Sequence, residues 1–538
     1  MTDIAAPEIE TPASASLPRE DAQQTRHPRI AAYSGPAGGW GALKSVGQHV
    51  SHSRAPWKSV RSLLKANQDK GFDCPGCAWG DPEHGSSFEF CENGAKAVAW
   101  EVTAKRVTPR FFAQHTVTEL LGWDDFMLED QGRLTEPMRY DAASDRYMPI
   151  SWDAAFELVA EHLSALTSPD EALFYTSGRA SNEAAYLYQL FVRLFGTNNF
   201  PDCSNMCHEA SGVGMKASLG VGKGTVLLED FEHADAIFVF GQNPGTNHPR
   251  MLGDLRRASR RGARIVSFNP LRERGLERFA DPQSPLEMMT LSSQPISHRY
   301  YQPRMGGDMA AVRGMAKALF AMEARGEFTR AASFIEAHTR GVEAWQALVE
   351  ATEWATLEDQ SGLTRAQLEE AATIFAGAGN VICTWAMGIT QHLHAVESVR
   401  EIVNLLLLGG HFGRPGAGAC PVRGHSNVQG DRTMGIDEKA PAWLIDALEA
   451  RYGVSMPRTP GYNTVESLAA LEQGKAKIFI ALGGNFTRAT PDSERTEAAM
   501  RNLELNVQIS TKLNRSHLVM GKQTDALILP CLGRSEID

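Results

Sequence analysis

Short apolar runs recur along the chain, and each ends in a residue that turns the backbone. Ala172–Tyr175 runs into Thr176-Ser177-Gly178-Arg179, Ala236–Phe240 into Gly241-Gln242-Asn243-Pro244, and Arg264–Phe268 into Asn269-Pro270. Further on, Val381–Ala386 ends at Met387-Gly388, Ile478–Leu482 at Gly483-Gly484-Asn485, and Ala526–Leu529 at Pro530. Amphipathic stretches lie between them, one opened by Ser151-Trp152-Asp153, others reading NEAAYLYQLFVRLFG and LGDLRRASRRG. Strand, turn and helix in alternation predict an α/β fold with parallel sheets flanked by helices. Open α/β sheets bind ligands at the carboxyl ends of their strands, where amides bared by glycine can cradle pyrophosphate. One such turn is only a turn. Several in one chain point to a large nucleotide-like ligand, although neither GxGxxG nor a Walker sequence is present to signal an ordinary dinucleotide or ATP site.

With 538 residues the chain is too long for one core, and roughly three or four domains are expected. Hydrophobic residues at 43% and charged residues at 22% exclude a disordered or fibrous bulk. A net charge of −11 argues against non-specific binding to nucleic acid or anionic lipid. No apolar run approaches the ~20 residues of a membrane span; Ile402–Leu408 breaks at Gly409-Gly410. The first thirty residues are polar, acidic and rich in Pro and Ala, without the basic start and apolar stretch of a secretion signal. A disordered tail over residues 1–32 and a cytoplasmic location are expected.

Eight cysteines cannot staple a chain of this size, and in a reducing compartment clustered cysteines more often bind metal. Cys74-Pro75-Gly76-Cys77 puts two thiols on one turn, and Cys91 follows. Iron–sulfur clusters need soft thiolates, usually four. Three are present, so Asp81, Glu83 or His84 supplies a fourth ligand or the cluster lacks one iron; zinc on Cys74, Cys77, His84 and Cys91 is the competing reading. In the second group Cys207 is followed directly by His208, a thiolate beside an imidazole, which suits a nucleophile with its base or a metal ligand next to a proton acceptor. Cys203 and Cys420 have no partner at ligand spacing and are assigned to structure.

The motifs PDCSNMCHEASG, TSGRASNEAAY, FGQNPGTNHPRM, LGGNFTRATPDSE and the long ordered stretch from Trp385 to Gly430 resemble the molybdopterin-dependent oxidoreductases in their formate dehydrogenase-like branch. The opening GPAGGWGALKSV and DCPGCAWGDP are closer still to the YdeP-type subgroup, which is associated with acid stress. The resemblance covers nearly everything from Tyr33 to Asp538. It implies a multi-domain molybdopterin oxidoreductase-like fold: an N-terminal iron–sulfur region over 33–135, an α/β domain over 136–300 with the molybdenum-ligand loop and first pterin contacts, and a second α/β domain over 301–538. The family's C-terminal pterin-capping domain is read as absent, because the sequence stops at LPCLGRSEID.

By the same resemblance Cys207 ligates molybdenum, His208 is the catalytic histidine, and Arg400, in Val396-Glu397-Ser398-Val399-Arg400, binds the substrate carboxylate. Cys74, Cys77 and Cys91 are the iron–sulfur ligands, of a 4Fe-4S cluster foremost. The two pterin guanine dinucleotides of a molybdenum bis(molybdopterin guanine dinucleotide) cofactor lie near Gly178, Asn243, His248, Gly388, Arg423 and Asn485. Lys96 is the basic residue between cluster and pterin, at an unusual spacing from Cys91. The pattern is broken at Asp81, where relatives carry a third cysteine, and at Asn269, where they often carry Asp.

The activity this implies is oxidation of formate or a similar small carboxylate, with electrons leaving through the pterin to the cluster and on to an electron-transfer partner subunit. The alternatives are a reductase of another small oxyanion, or an acid-stress regulator of the same fold that acts by binding a partner.

Overall fold

The computed structural model describes residues 33–83, 85–521 and 524–537. The expected tail over 1–32 and His84 lie outside the described residues. Two sheets organise Pro36–Asp538, which packs as one unit. In chain order their strands are β1 (Met138–Asp141), β2 (Arg146–Pro149), β3 (Ala172–Thr176), β4 (Ala236–Phe240), β5 (Arg264–Phe268), β6 (Arg299–Tyr301), β7 (Val381–Trp385), β8 (Gly418–Pro421), β9 (Ile478–Leu482), β10 (Leu505–Ser510) and β11 (Asp525–Pro530). The first sheet has the order β6-β5-β4-β7-β8 and is parallel throughout. The second runs β2-β1-β11-β10-β9-β3, with a parallel body and the antiparallel hairpin β1–β2 at one edge. Each sheet draws strands from both sides of residue 300.

The central strands are apolar along their whole length because both faces are covered. From β4 and β7, Phe238, Phe240, Cys383 and Trp385 face one core, while Ile237, Val239 and Ile382 face another. The helices that bear on the site are α1 (Glu92–Glu101), α2 (Cys203–Cys207), α3 (Glu209–Leu219), α4 (Met251–Arg261), α5 (Asp308–Ala324) and α6 (Ala395–Leu408). The first core is closed by α5 and α6 and the second by α4. Helix α4 buries Met251, Leu252, Leu255 and Ala258 on one stripe and stops at Gly262, whose φ of +100° suits the left-handed C-terminal cap.

Strand order reverses between β4 and β7, since β5 and β6 extend the sheet to one side and β8 to the other. This is the switch point at which doubly wound sheets bind ligands. Phe240 pairs with Trp385, so the two turns that follow emerge at the same level.

Candidate active site and cysteine cavity

Both switch-point strands end in a tight turn followed by a single helical turn, Pro244–Asn247 after β4 and Met387–Thr390 after β7. The turns touch through glycine. Gly388 N–H donates to Gly241 C=O at 3.0 Å, and a Cβ on Gly388 would overlap that oxygen. Asn243 caps its helical turn by accepting the Thr246 N–H at 3.2 Å, and its amide donates to Glu273 at 2.8 Å. The second sheet has a similar helical turn, Phe486–Ala489, after β9, which Asn485 precedes without capping it; Asn485 Oδ1 accepts from Ser516 Oγ at 3.2 Å instead. After the neighbouring β3, Gly178 is buried with room for nothing larger, since a Cβ there would lie 2.6 Å from Cys203 Sγ. Cys203 is thus a packing wall behind that turn.

Cys207 closes α2, whose amino end is capped by the buried Asp202 carboxylate. His208 links α2 to α3. Thr390 Oγ1 donates to Cys207 C=O at 2.7 Å and Gln391 Nε2 to Met206 C=O at 2.8 Å, so the β7 turn holds this link from outside. Burial pushes the Cys207 thiol up, opposed by the Gly424 N–H and the Arg423 charge. A cation at the sulfur would reverse that preference.

Around Cys207 several buried polar atoms have no partner among the described residues. The His208 ring is fixed through Nδ1, 3.0 Å from Ser211 Oγ, which itself accepts Trp385 Nε1–H at 2.9 Å; buried Nε2 has no close hydrogen bond, and the ring meets the Val422 main chain. Burial first, then the Arg423 charge, pushes His208 down to about 3, so the ring is neutral at ordinary pH. Arg423 donates to the carbonyls of His208 (3.1 Å) and Gly222 (3.0 Å), but its Nε has no partner. His248 donates Nε2–H to Arg423 C=O at 2.8 Å and leaves Nδ1 bare. His425 Nδ1, Ser426 Oγ and Asp431 Oδ2 continue the series. Each unpaired buried group costs about 1–3 kcal/mol, and folded proteins hold few of them. Their concentration beside Cys207 makes this buried polar cluster the candidate site.

Arg400 lies exposed on α6, which packs along α3, with Val399 against Gly214. Among the described residues it makes no ion pair. Lys96 is exposed on α1, its Nζ 5.4 Å from the Trp100 ring, and Lys512 approaches the same ring at 4.0 Å.

The first cysteine group encloses a cavity of about 200 Å³ lined by Cys74, Cys77, Cys91, Asp81, Arg250 and Ser426, among others. All three sulfurs receive main-chain N–H groups, from Gly76 (3.4 Å), Trp79 and Gly94 (3.4 Å). Gly94 is pressed between two of them, since a Cβ there would lie 3.0 Å from Cys74 Sγ and 3.9 Å from Cys91 Sγ. Burial pushes Cys74 up to about 11 and Cys91 to about 12. Among the described residues no three Cys, His, Asp or Glu side chains converge on a point that would hold a single metal ion. The CxxC loop is fastened to the first sheet from two sides. Trp79 Nε1–H donates to Asp254 on α4 at 2.8 Å, and Arg250 grips Glu89 (2.8 and 3.1 Å) and Asp81 (2.8 Å).

Sequence reasoning missed Ser211, Gly424 and Arg250. Ser211, four residues beyond Cys207, and Arg250, two beyond His248, lie inside motifs already singled out, but their partners are remote in sequence.

The family model for molybdopterin oxidoreductase matches residues 133–517, which take in the first sheet, all of the second but β11, and the Cys207 site. The chain belongs to the molybdopterin oxidoreductase family. Protein YdeP of Escherichia coli K12 is 51% identical over 515 residues, covering 95% of this chain and 68% of that protein. An uncharacterized oxidoreductase of Mycobacterium tuberculosis H37Rv is 51% identical over 484 residues, covering 89% of this chain and 62% of its own. Formate dehydrogenase H of Escherichia coli K12 is 29% identical over 401 residues, 71% of this chain and 53% of the relative. Acetylene hydratase from Pelobacter acetylenicus shares the fold, with a TM-score of 0.58 at 17% identity over 76% of this chain and 56% of that one. The chain is therefore an oxidoreductase enzyme with a molybdenum–pterin cofactor, built on the α/β fold that its strand pattern predicts. No helix among the described residues is long and apolar enough to cross a membrane.

Proposed function

We propose that this enzyme carries molybdenum bis(molybdopterin guanine dinucleotide) in the cleft beside Cys207, oxidises formate or a comparable small carboxylate, and delivers electrons to an iron–sulfur cluster at Cys74, Cys77 and Cys91. The observation that carries the reading is the set of buried, unpartnered polar atoms around Cys207, at the carboxyl ends of the switch-point strands. They fit a group with many hydrogen-bonding atoms. Cys207 Sγ would hold the metal. Gly178, Asn243, His248, Gly388, Arg423 and Asn485 would line the two dinucleotides. When bound, the cofactor supplies the two-electron acceptance that no side chain provides.

The chain's own residues do the rest. Arg400 orients the substrate carboxylate by paired charged hydrogen bonds, a geometry lysine does not reproduce. His208, neutral and held in place through Ser211, relays the proton released from the substrate rather than keeping it. The main-chain N–H groups aimed at the three cysteine sulfurs favour thiolates and so suit a cluster. Lys96 is assigned to the basic surroundings between the two cofactors. The physiological acceptor is a partner subunit, and the eight free cysteines fit work in the reducing cytoplasm.

The test is elemental analysis joined to turnover. The matured chain is expected to hold molybdenum near one atom per chain and to reduce a redox dye with formate. Cys207→Ala is expected to lose molybdenum and at least a thousand-fold (~10³) of that turnover while keeping its iron. Formate-dependent activity that survives Cys207→Ala would sink the ligand assignment.

A further inference from the structure

The cysteine cavity contains a contradiction between its donors and a four-iron cluster. Three thiols line it; of its carboxylates Asp73 is exposed and Asp81 stands where a fourth donor is expected, while Glu83 is not part of the lining and His84 lies outside the described residues. Asp81 is not free. Its Oδ1 accepts Arg250 Nη1–H at 2.8 Å, and the same guanidinium is braced by two hydrogen bonds to Glu89 through Nε and Nη2. The Arg250 side chain is only 11% exposed, so it has little water to fall back on if the carboxylate leaves. A carboxylate is moreover a harder ligand than thiolate for cluster iron. Asp81 therefore meets a nearby cation that suits it better.

We infer that the cluster in this cavity is held by Cys74, Cys77 and Cys91 alone and contains three irons, with Asp81 withheld from the metal by its ion pair to Arg250. The inference rests on the iron–sulfur reading proposed above and narrows it. Arg250 becomes a positioning residue that determines cluster type, and the aspartate at position 81 is a deliberate vacancy in the thiolate set.

The experiment uses the full chain, matured anaerobically, with iron and acid-labile sulfide counted per chain and the oxidised protein examined by electron paramagnetic resonance. Three irons and a half-integer-spin signal in the oxidised state are expected, because an oxidised three-iron cluster has an odd electron count and a four-iron cluster an even one. Asp81→Cys supplies the missing thiolate and should raise the count to four irons and abolish the oxidised signal. Asp81→Asn should leave both unchanged. Arg250→Gln frees the carboxylate and should shift part of the protein towards the silent four-iron form, and adding Asp81→Asn to it should restore three irons. Four irons with no oxidised signal in the unaltered chain, or an Asp81→Cys protein that stays at three irons, would overturn the inference and leave the cluster reading standing. A matured chain with neither iron nor sulfide would overturn both.

Discussion

His208 shows how a single side chain is prepared by its neighbours. Trp385, at the end of β7, donates to Ser211, and Ser211 fixes His208 Nδ1, so the ring is held in one orientation. Replacing Ser211 by Ala removes the acceptor of a buried indole N–H and should lower unfolding stability by about 1–3 kcal/mol, read from the denaturant midpoint. The same variant should lower kcat more than KM, because the ring loses its orientation while substrate contacts remain. An unchanged midpoint and kcat would show that the Ser211 link does not hold the ring. Cys207 and His208 stand out in the sequence because they are adjacent and sit in a distinctive motif. Ser211 and Arg250 do not, since Trp385 lies 174 positions from Ser211 and Glu89 lies 161 from Arg250. Only folding brings those pairs together.

At the scale of elements, β3, β4, β5, β7, β9 and β11 could be read directly, as unbroken apolar runs ending in turn residues. Strand β10 escaped because Asn506 and Gln508 interrupt its pattern; buried, they bond to each other at 2.7 Å, and Asn506 also donates to Ser516 C=O. Strand β8 is short and carries Gly418 and Pro421, residues that argue against a strand until a neighbour is known. Helix α5 bears a different kind of tension. Asp308 opens it, where the helix dipole favours a carboxylate, yet burial overrides the dipole and pushes its pKa up to about 7. The folded state thus prefers the protonated acid. Its contribution is fully present below the ordinary carboxylate range near ~4 and is lost as pH rises towards 7. Asp308→Asn should therefore raise stability at pH ~8, by up to about 4 kcal/mol, and change it little at pH ~4. Thermal unfolding at the two pH values checks this, and an equal effect at both would refute it.

For the whole molecule, the decisive fact is that neither sheet is contiguous in sequence. Strand β4 pairs with β7, and β3 with β9, so the stretches on either side of residue 300 complete one another. A chain cut at residue 300 keeps β4 without β7 and β3 without β9. It should show no cooperative unfolding transition by circular dichroism, whereas co-expression of the two pieces should restore one. The sequence did indicate the alternation of strands and helices, but not this interleaving, because apolar periodicity says which residues are buried and nothing about which strand lies alongside.

The hairpin β1–β2 docks on β11, and Arg139 is clipped to Asp525 at 2.7 Å across a separation of 386 residues. At about 5–20 residues per second, ribosomal synthesis leaves that edge waiting on the order of 20–80 s for its partner. During that interval the nascent polypeptide displays an unsatisfied ladder of main-chain groups, an invitation to intermolecular β-pairing. Slow translation should thus favour aggregation of this enzyme, and a holdase that shields the early hairpin should raise its yield.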